Sequence, residues 1–165
     1  MSFAPFFSAP VIVQIHILAA LVALLLGPLV ILRRSRDVLH KAGGYLWVAA
    51  MVVLATSSLQ ITAVVGPRLY GYGVIHILAF VVFVSLWQAI RAARAGQIQR
   101  HRMLMTSLFT QALGIAGLFT LLPGRRMNAI LFPQTPVLGW VVIVMGGAAI
   151  AWLSWRNSRL PYRST

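Results

Sequence analysis

The amino-acid sequence predicts an all-α integral membrane protein, and three observations support this fold class. Sixty per cent of its 165 residues are hydrophobic and 9% are charged, whereas soluble domains carry about 25% charged residues. Apolar runs of about 18 or more residues, the length that spans a bilayer, recur along the chain. The pentapeptide Ile15-His16-Ile17-Leu18-Ala19 returns letter for letter at residues 75–79. Such a repeat indicates a duplicated structural unit.

Five transmembrane helices are expected, at about residues 10–32, 43–65, 74–90, 103–122 and 136–155. The first four form two tandem helical hairpins, at about residues 10–65 and 74–122. We predict that these hairpins build a four-helix bundle and that the helix at about 136–155 is a fifth, peripheral one. Residues 1–165 would then form a single membrane domain. Residues 1–10 contain no Lys or Arg, so we interpret the first apolar run as a retained span and not as a signal peptide.

The distribution of basic residues predicts the orientation. Eleven of the fourteen Lys and Arg residues fall on one side of the predicted spans, and the other three are Arg68, Arg125 and Arg126. The positive-inside rule then places the N-terminus outside and the C-terminus in the cytoplasm. We expect a multi-pass protein of the bacterial inner (cytoplasmic) membrane. The net charge of +13 is explained by these loop charges, which also favour anionic lipids, and not by nucleic-acid binding.

Composition excludes several kinds of chemistry. The chain has no cysteine, and Asp37 is its only acidic residue. Disulfides, thiolate metal sites, iron–sulfur clusters and carboxylate-pair catalysis are therefore excluded. The sequence also contains no nucleophile–base pair and no phosphate-binding loop, which argues against hydrolysis and phosphoryl transfer.

The four histidines form the candidate site. His16 and His76 begin spans that start outside, whereas His40 and His101 follow 24 and 25 residues later, at the cytoplasmic side. The sequence thus predicts two histidine pairs at two depths, each drawn from two different helices. Ionisable residues within a membrane are costly and commonly functional. On the first span His16 shares its face with small residues, and on the third span His76 shares its face with Ala79, Phe80, Phe83 and Trp87.

Haem is the ligand that best matches these residues, since its iron needs only two axial ligands from the protein. Zinc normally needs three or four protein ligands, and copper would have to use methionines near the inner pair. Anionic haem propionates would suit the basic side chains Arg33, Lys41 and Arg102 at the inner rim and Arg125 and Arg126 at the outer rim. The alternative is that the outer histidines hydrogen-bond carbonyl groups and the inner ones face lipid phosphate.

Four segments carry a resemblance to known proteins: the His16 helix with its Gly27-Pro28 end, Leu39-His40-Lys41-Ala42-Gly43, Arg100-His101-Arg102, and Leu122-Pro123-Gly124-Arg125. Together they resemble a prokaryotic family of predicted membrane proteins of unknown function, over about residues 10–126. The layout of the paired histidines is similar to that of di-haem transmembrane cytochromes b, in which the two ligands of a haem come from different helices.

The expected function is therefore a transmembrane oxidoreductase that carries electrons through two b-type haems. His16 and His76 would ligate one haem, and His40 and His101 the other. The electron donor would be a quinol or another small reductant. Two alternatives remain open: an accessory or structural subunit of a larger membrane complex, or a histidine-based transition-metal protein. A membrane-protein partner or a homo-oligomer is compatible with each of them.

Overall fold

The computed structural model describes residues 2–33, 35–61, 68–69 and 72–159. Its elements in chain order are α1 (Ala4–Phe7), α2 (Val11–Leu32), α3 (Val38–Leu59), β1 (Arg68–Leu69), β2 (Tyr72–Gly73), α4 (Val74–Arg94), α5 (Ile98–Ser107), a π-helical segment (Leu108–Ile115), α6 (Ala116–Phe119), α7 (Arg126–Leu131) and α8 (Leu138–Arg159). The two short strands pair antiparallel. The chain divides into two compact units. We call Ala9–Leu113 the bundle unit, and Met1–Ser8 with Gly114–Thr165 the terminal unit.

Four helices in the described part of the chain are long and apolar enough to cross a membrane: Val11–Leu32, Val38–Leu59, His76–Arg94 and Ile98–Phe119. The predicted helical class with four membrane-spanning helices is thus confirmed. The fifth predicted span corresponds to α8, whose described apolar part, Leu138–Trp152, is shorter. That α8 crosses the membrane, and the orientation of the chain, stay predictions.

The start of α3 differs from the prediction by five residues, because the helix begins at Val38 and not at Gly43. The Asp37 side chain caps this end by accepting the main-chain N–H of His40 at 3.0 Å. A capping carboxylate satisfies one of the N–H groups that a helix start leaves unpaired. His40 therefore lies in the first turn of a helix, where the sequence had suggested a loop.

The start of α5 is also five residues earlier than predicted, at Ile98. Gly96 has a positive φ of 73°, and the N–H of Gln97 donates to the carbonyl of Ala92 at 2.8 Å. This is the Schellman arrangement, in which a left-handed glycine ends a helix. The turn between α4 and α5 is consequently very short, and His101 lies in the first turn of α5.

Helices α2 and α3 pack antiparallel through small residues. The indole N–H of Trp47 donates to the carbonyl of Ala23 at 2.9 Å, and nearer the other end a Cβ at Gly43 would lie 3.0 Å from Val30. A ring as large as indole reaches the α2 main chain only where the α2 side chain is short, and Ala23 is fully buried. The small-residue face predicted on the first span is therefore a close helix–helix contact.

Gly27 is the point where α2, α3 and the fourth span meet. A Cβ added there would overlap the ring of Phe109 and lie 3.1 Å from the indole nitrogen of Trp47. Only a glycine leaves room for both rings.

The core of the bundle unit is apolar and draws on α2, α3, α4 and the π-helical segment. Its buried members are Ala23, Trp47, Ala50, Met51, Ala55, Ala79, Val82, Leu86, Leu108 and Leu113. The aromatic face predicted for α4 is only partly correct, because Phe80 and Trp87 are 61% and 57% exposed. The smaller Ala79, Val82 and Leu86 pack inward instead, and Arg91 stacks on the Trp87 ring at 4.7 Å.

In the terminal unit, Asn128 holds three segments together. Its side-chain amide donates to the carbonyls of Leu121 at 2.7 Å and Pro136 at 2.8 Å. Gly146 of α8 packs on Leu118, since a Cβ there would lie 2.6 Å from that side chain.

The short helices α1 and α7 of this unit were not predicted from the sequence. The N–H of Ser2, which precedes α1, donates to the carbonyl of Ile130 in α7 at 3.0 Å. The guanidinium of Arg126 also donates to the carbonyl of Pro5 at 2.9 Å.

Candidate histidine sites in the bundle unit

His16 lies in α2 and contacts α3 through its ring. Its Nδ1 is 3.0 Å from the hydroxyl oxygen of Ser57, which is only 2% exposed. The Ser57 hydroxyl donates its proton to the carbonyl of Leu54 at 3.0 Å. A hydroxyl has a single proton. With that proton on the bond to Leu54, Nδ1 of His16 is the donor to Ser57 and the lone pair of the neutral ring is on Nε2; with the proton directed at His16, Nδ1 is the acceptor.

His76 lies in the first turn of α4 and is 5% exposed. Its Nε2 is 2.9 Å from the carbonyl oxygen of Ile61. A carbonyl can only accept, so Nε2 carries a proton in this contact.

Both rings lie against the same end of α3. Ser57 lies in the last turn of α3, and Ile61 lies two residues beyond the end of that helix at Leu59. His16 and His76, from two different hairpins, are thus held by groups at the same end of α3. We call this the His16 end of the bundle unit.

His101 is held by the preceding helix. Its Nδ1 lies 2.9 Å from the carbonyl oxygen of Ala89, so Nδ1 donates and the lone pair of the neutral ring is on Nε2. Ala89 is fully buried in α4. The short turn at Gly96 brings the two helices together in this register.

His40 differs from the other three histidines. Its Nδ1 is buried and has no hydrogen-bond partner among the residues that the structure describes. A buried polar nitrogen without a partner costs about 1–3 kcal/mol. His40 lies at the opposite end of α3 from Ser57, and we call this the His40 end.

An ion pair precedes α3 at the His40 end. The Arg33 guanidinium forms a forked contact with Asp37, with Nε 2.8 Å from Oδ1 and a second bond to Oδ2. This guanidinium holds the pKa of the Asp37 carboxyl well below its usual range, and the N–H of His40 lowers that pKa further. The hydrogen bond between Arg33 and Asp37 also raises the pKa of the Arg33 guanidinium.

The other predicted rim residues differ in their surroundings. Lys41 and Arg102 are exposed, and the chain has no acidic side chain besides Asp37 with which they could pair. Arg125 and Arg126 belong to the terminal unit. Within that unit the Arg126 guanidinium donates one hydrogen bond to the carbonyl of Pro5.

Sequence reasoning missed the groups that hold the histidine rings. Among the described groups Ser57 is the one side chain, and the carbonyls of Ile61 and Ala89 leave no signal in a sequence. Ser57 could have been noticed as a hydroxyl in an apolar span, but serine commonly bonds its own helix there.

No curated protein and no solved structure matches the chain. A family model of predicted membrane proteins matches residues 13–155, which confirms the resemblance drawn above and extends it beyond residue 126. The chain therefore belongs to the family described as "Predicted membrane protein (DUF2306)".

Proposed function

We propose that the protein is a di-haem b-type electron-transfer protein of the bacterial cytoplasmic membrane. It passes electrons between a quinol or another small reductant and an acceptor on the opposite side. His16 and His76 hold one haem, and His40 and His101 hold the other. The N-terminus is outside, α8 is the fifth span and the C-terminus is in the cytoplasm, as the positive-inside rule predicts.

The observation that carries this proposal is that Nδ1 is hydrogen-bonded to the protein in two of the rings. His101 donates Nδ1–H to the Ala89 carbonyl at 2.9 Å, and Nδ1 of His16 lies 3.0 Å from the hydroxyl oxygen of Ser57. Histidines that ligate metals almost always have their second nitrogen fixed by such a bond, which sets the tautomer and raises the basicity of the ligating nitrogen. Nε2 of the neutral His101 ring is thus unprotonated and open to a metal, and Nε2 of His16 is so when the Ser57 hydroxyl donates to Leu54.

Pairing across the hairpins is supported best at the His16 end. His16 contacts Ser57 in the last turn of α3, and His76 contacts the carbonyl of Ile61 just beyond the end of that helix. The His76 ring does not match a ligand as it lies, because its Nε2 is hydrogen-bonded to the Ile61 carbonyl. That hydrogen bond would have to break before Nε2 could ligate a metal. Ring rotation about the Cβ–Cγ bond would accompany that exchange.

At the His40 end the support is energetic. The buried Nδ1 of His40 lacks a partner within the described chain, and a ligand that engaged this ring would offset the cost of burial. Lys41 and Arg102 are exposed cations without a carboxylate partner, so they suit anionic propionates. Arg33 is less available, because it already forms a forked pair with Asp37.

A bound haem supplies a one-electron couple. The histidine rings would hold this group, and the surrounding residues would exclude water and set the potential through nearby charge and burial. A quinol or small reductant would approach near Arg125 and Arg126 on the outer side, or near the basic residues of the His40 end.

The test is an absorption spectrum of the purified protein, oxidised and dithionite-reduced, with haem quantified per chain. We expect a Soret band, sharpened visible bands on reduction and two haems. Alanine variants of the four histidines should form two classes. His16→Ala and His76→Ala should remove the same half of the haem or convert it to high spin, and His40→Ala and His101→Ala the other half.

Double variants decide the pairing. Two changes within one pair should add little to either alone, because one lost ligand already breaks a bis-imidazole site. A change in each pair should remove both haems. Gln14→Ala is a matched control on α2, since this side chain bonds only the Ala9 carbonyl at 2.9 Å. A colourless protein from cells that make ample haem would refute the proposal.

A second candidate is an accessory or structural subunit in which the histidines serve only as hydrogen-bond donors. The protein oxygens contacted by His16, His76 and His101 support this reading. A colourless protein that loses thermal stability on histidine replacement would favour it. A transition-metal site has less support, because no group of three or more His, Cys, Asp or Glu in the described chain could hold an ion.

A further inference from the structure

Gln111 is a polar side chain in the middle of a membrane span. The span Ile98–Phe119 extends thirteen residues to one side of Gln111 and eight to the other, or about 20 Å and 12 Å at the helical rise. Gln111 is nevertheless exposed on the surface of the bundle unit. A glutamine side chain reaches only a few ångströms from the helix, so at this depth its amide faces hydrocarbon.

The Gln111 amide has no hydrogen-bond partner among the residues that the structure describes. Gln14 and Gln60 behave differently, since Gln14 donates to the Ala9 carbonyl at 2.9 Å and Gln60 donates to the Thr56 carbonyl at 3.5 Å. Gln88 of α4 also makes no hydrogen bond within the described chain, but it lies only six residues from the end of its helix at Arg94. In hydrocarbon no water replaces a missing partner, so an unpaired amide is costly. A group on a neighbouring molecule would satisfy the Gln111 amide, which the described residues leave without a partner.

The π-helical segment turns Gln111 outward. Leu108 and Leu113 are both buried, at 3% and 5% exposure, although residues five apart lie about 140° apart on an α-helix. With i→i+5 bonding, at about 82° per residue, they lie only about 50° apart. The same winding places Gln111 about 115° from Leu108, where an α-helix would place it about 60° away. The segment thus buries both leucines and directs the amide to lipid.

We infer that two copies of this chain associate in the membrane through Gln111. A primary amide carries both a donor and an acceptor, so two Gln111 side chains related by a two-fold axis can exchange two reciprocal N–H···O bonds. Such self-complementarity is what an isologous dimer contact requires. Interhelical amide bonds of this kind hold membrane helices together. This inference does not depend on haem binding.

The first test measures self-association of the full chain in lipid vesicles, from energy transfer between donor- and acceptor-labelled copies as lipid is added. Gln111→Leu should weaken the dimer about 10- to 30-fold, which corresponds to the loss of two interhelical bonds. Gln88→Leu is the matched control, because it makes the same change on α4, six residues from the end of that helix at Arg94. Its dimerisation should be unchanged.

The second test uses the absence of cysteine from the chain. Gln111→Cys should form an oxidant-dependent disulfide dimer in membranes, whereas Val84→Cys, a lipid-facing position of 52% exposure on α4, should not. Equal self-association of wild type and Gln111→Leu, or equal cross-linking of both cysteine variants, would overturn the inference. Cross-linking of Gln111→Cys to a different protein, with no self-cross-link, would assign this amide to another partner and equally overturn it.

Discussion

Replacing Gly27 by alanine tests the packing on which the bundle unit depends. The added Cβ would overlap the Phe109 ring and come within 3.1 Å of the Trp47 indole nitrogen. Overpacking a close-packed core by a methyl group costs about 1–3 kcal/mol. If Trp47 moves away and loses its hydrogen bond to the Ala23 carbonyl, the destabilisation increases by about 1 kcal/mol. We therefore expect Gly27→Ala to lower the free energy of unfolding by about 2–4 kcal/mol.

The assay is reversible unfolding in mixed micelles, followed by far-UV circular dichroism and by Trp fluorescence. Phe109→Leu in the same chain should relieve most of the overlap, so the double variant should be more stable than the sum of the two single effects predicts. Gly117→Ala is the control, because a Cβ there meets nothing within 4 Å. If Gly27→Ala is as stable as wild type, or if Phe109→Leu gives no rescue, the proposed packing is wrong.

Three further predictions follow from particular contacts. Asp37→Ala should reduce hydrogen-exchange protection at the His40 amide, whereas Asp37→Asn should retain the cap. Folding lowers the pKa of Asp37, so the stability that its carboxylate contributes is fully present above the ordinary carboxyl range and is lost only as pH falls through the lowered pKa. Protection of the His40 amide should therefore not vary between about pH 5 and 8. A loss of protection near pH 6 would contradict this. Reporter fusions should give a cytoplasmic signal at Gly96 and an external one at Met127. A cytoplasmic signal at Met127 would show that the last two spans are misplaced in the predicted topology. Asn128→Ala, which leaves two carbonyls without their donor, should lower stability by about 2–4 kcal/mol in the same unfolding assay, and a change below about 0.5 kcal/mol would show that water replaces the amide.

The sequence was sufficient for features that depend on local composition. Transfer of a helix into lipid depends on the sum of its side chains, so hydropathy and length alone located the four spans. The repeated Ile-His-Ile-Leu-Ala segment likewise located His16 and His76 at corresponding positions in two hairpins. Helix starts were predicted less well, because caps such as Asp37 and turns such as the one at Gly96 depend on a few specific hydrogen bonds.

Other features depend on which groups become neighbours, and a chain read in order does not contain that information. A lipid-facing aromatic and a core aromatic have the same hydropathy, so the exposure of Trp87 followed only from the packing of α4. The rings of His16 and His101 are hydrogen-bonded to oxygens 41 and 12 residues away. The outward turn of Gln111 results from a π-helical winding that buries two leucines five residues apart. The sequence by itself determined that the chain is a membrane protein and where its histidines stand along the spans. The tertiary structure alone decided what each ring and each amide meets, because those contacts depend on the register between helices.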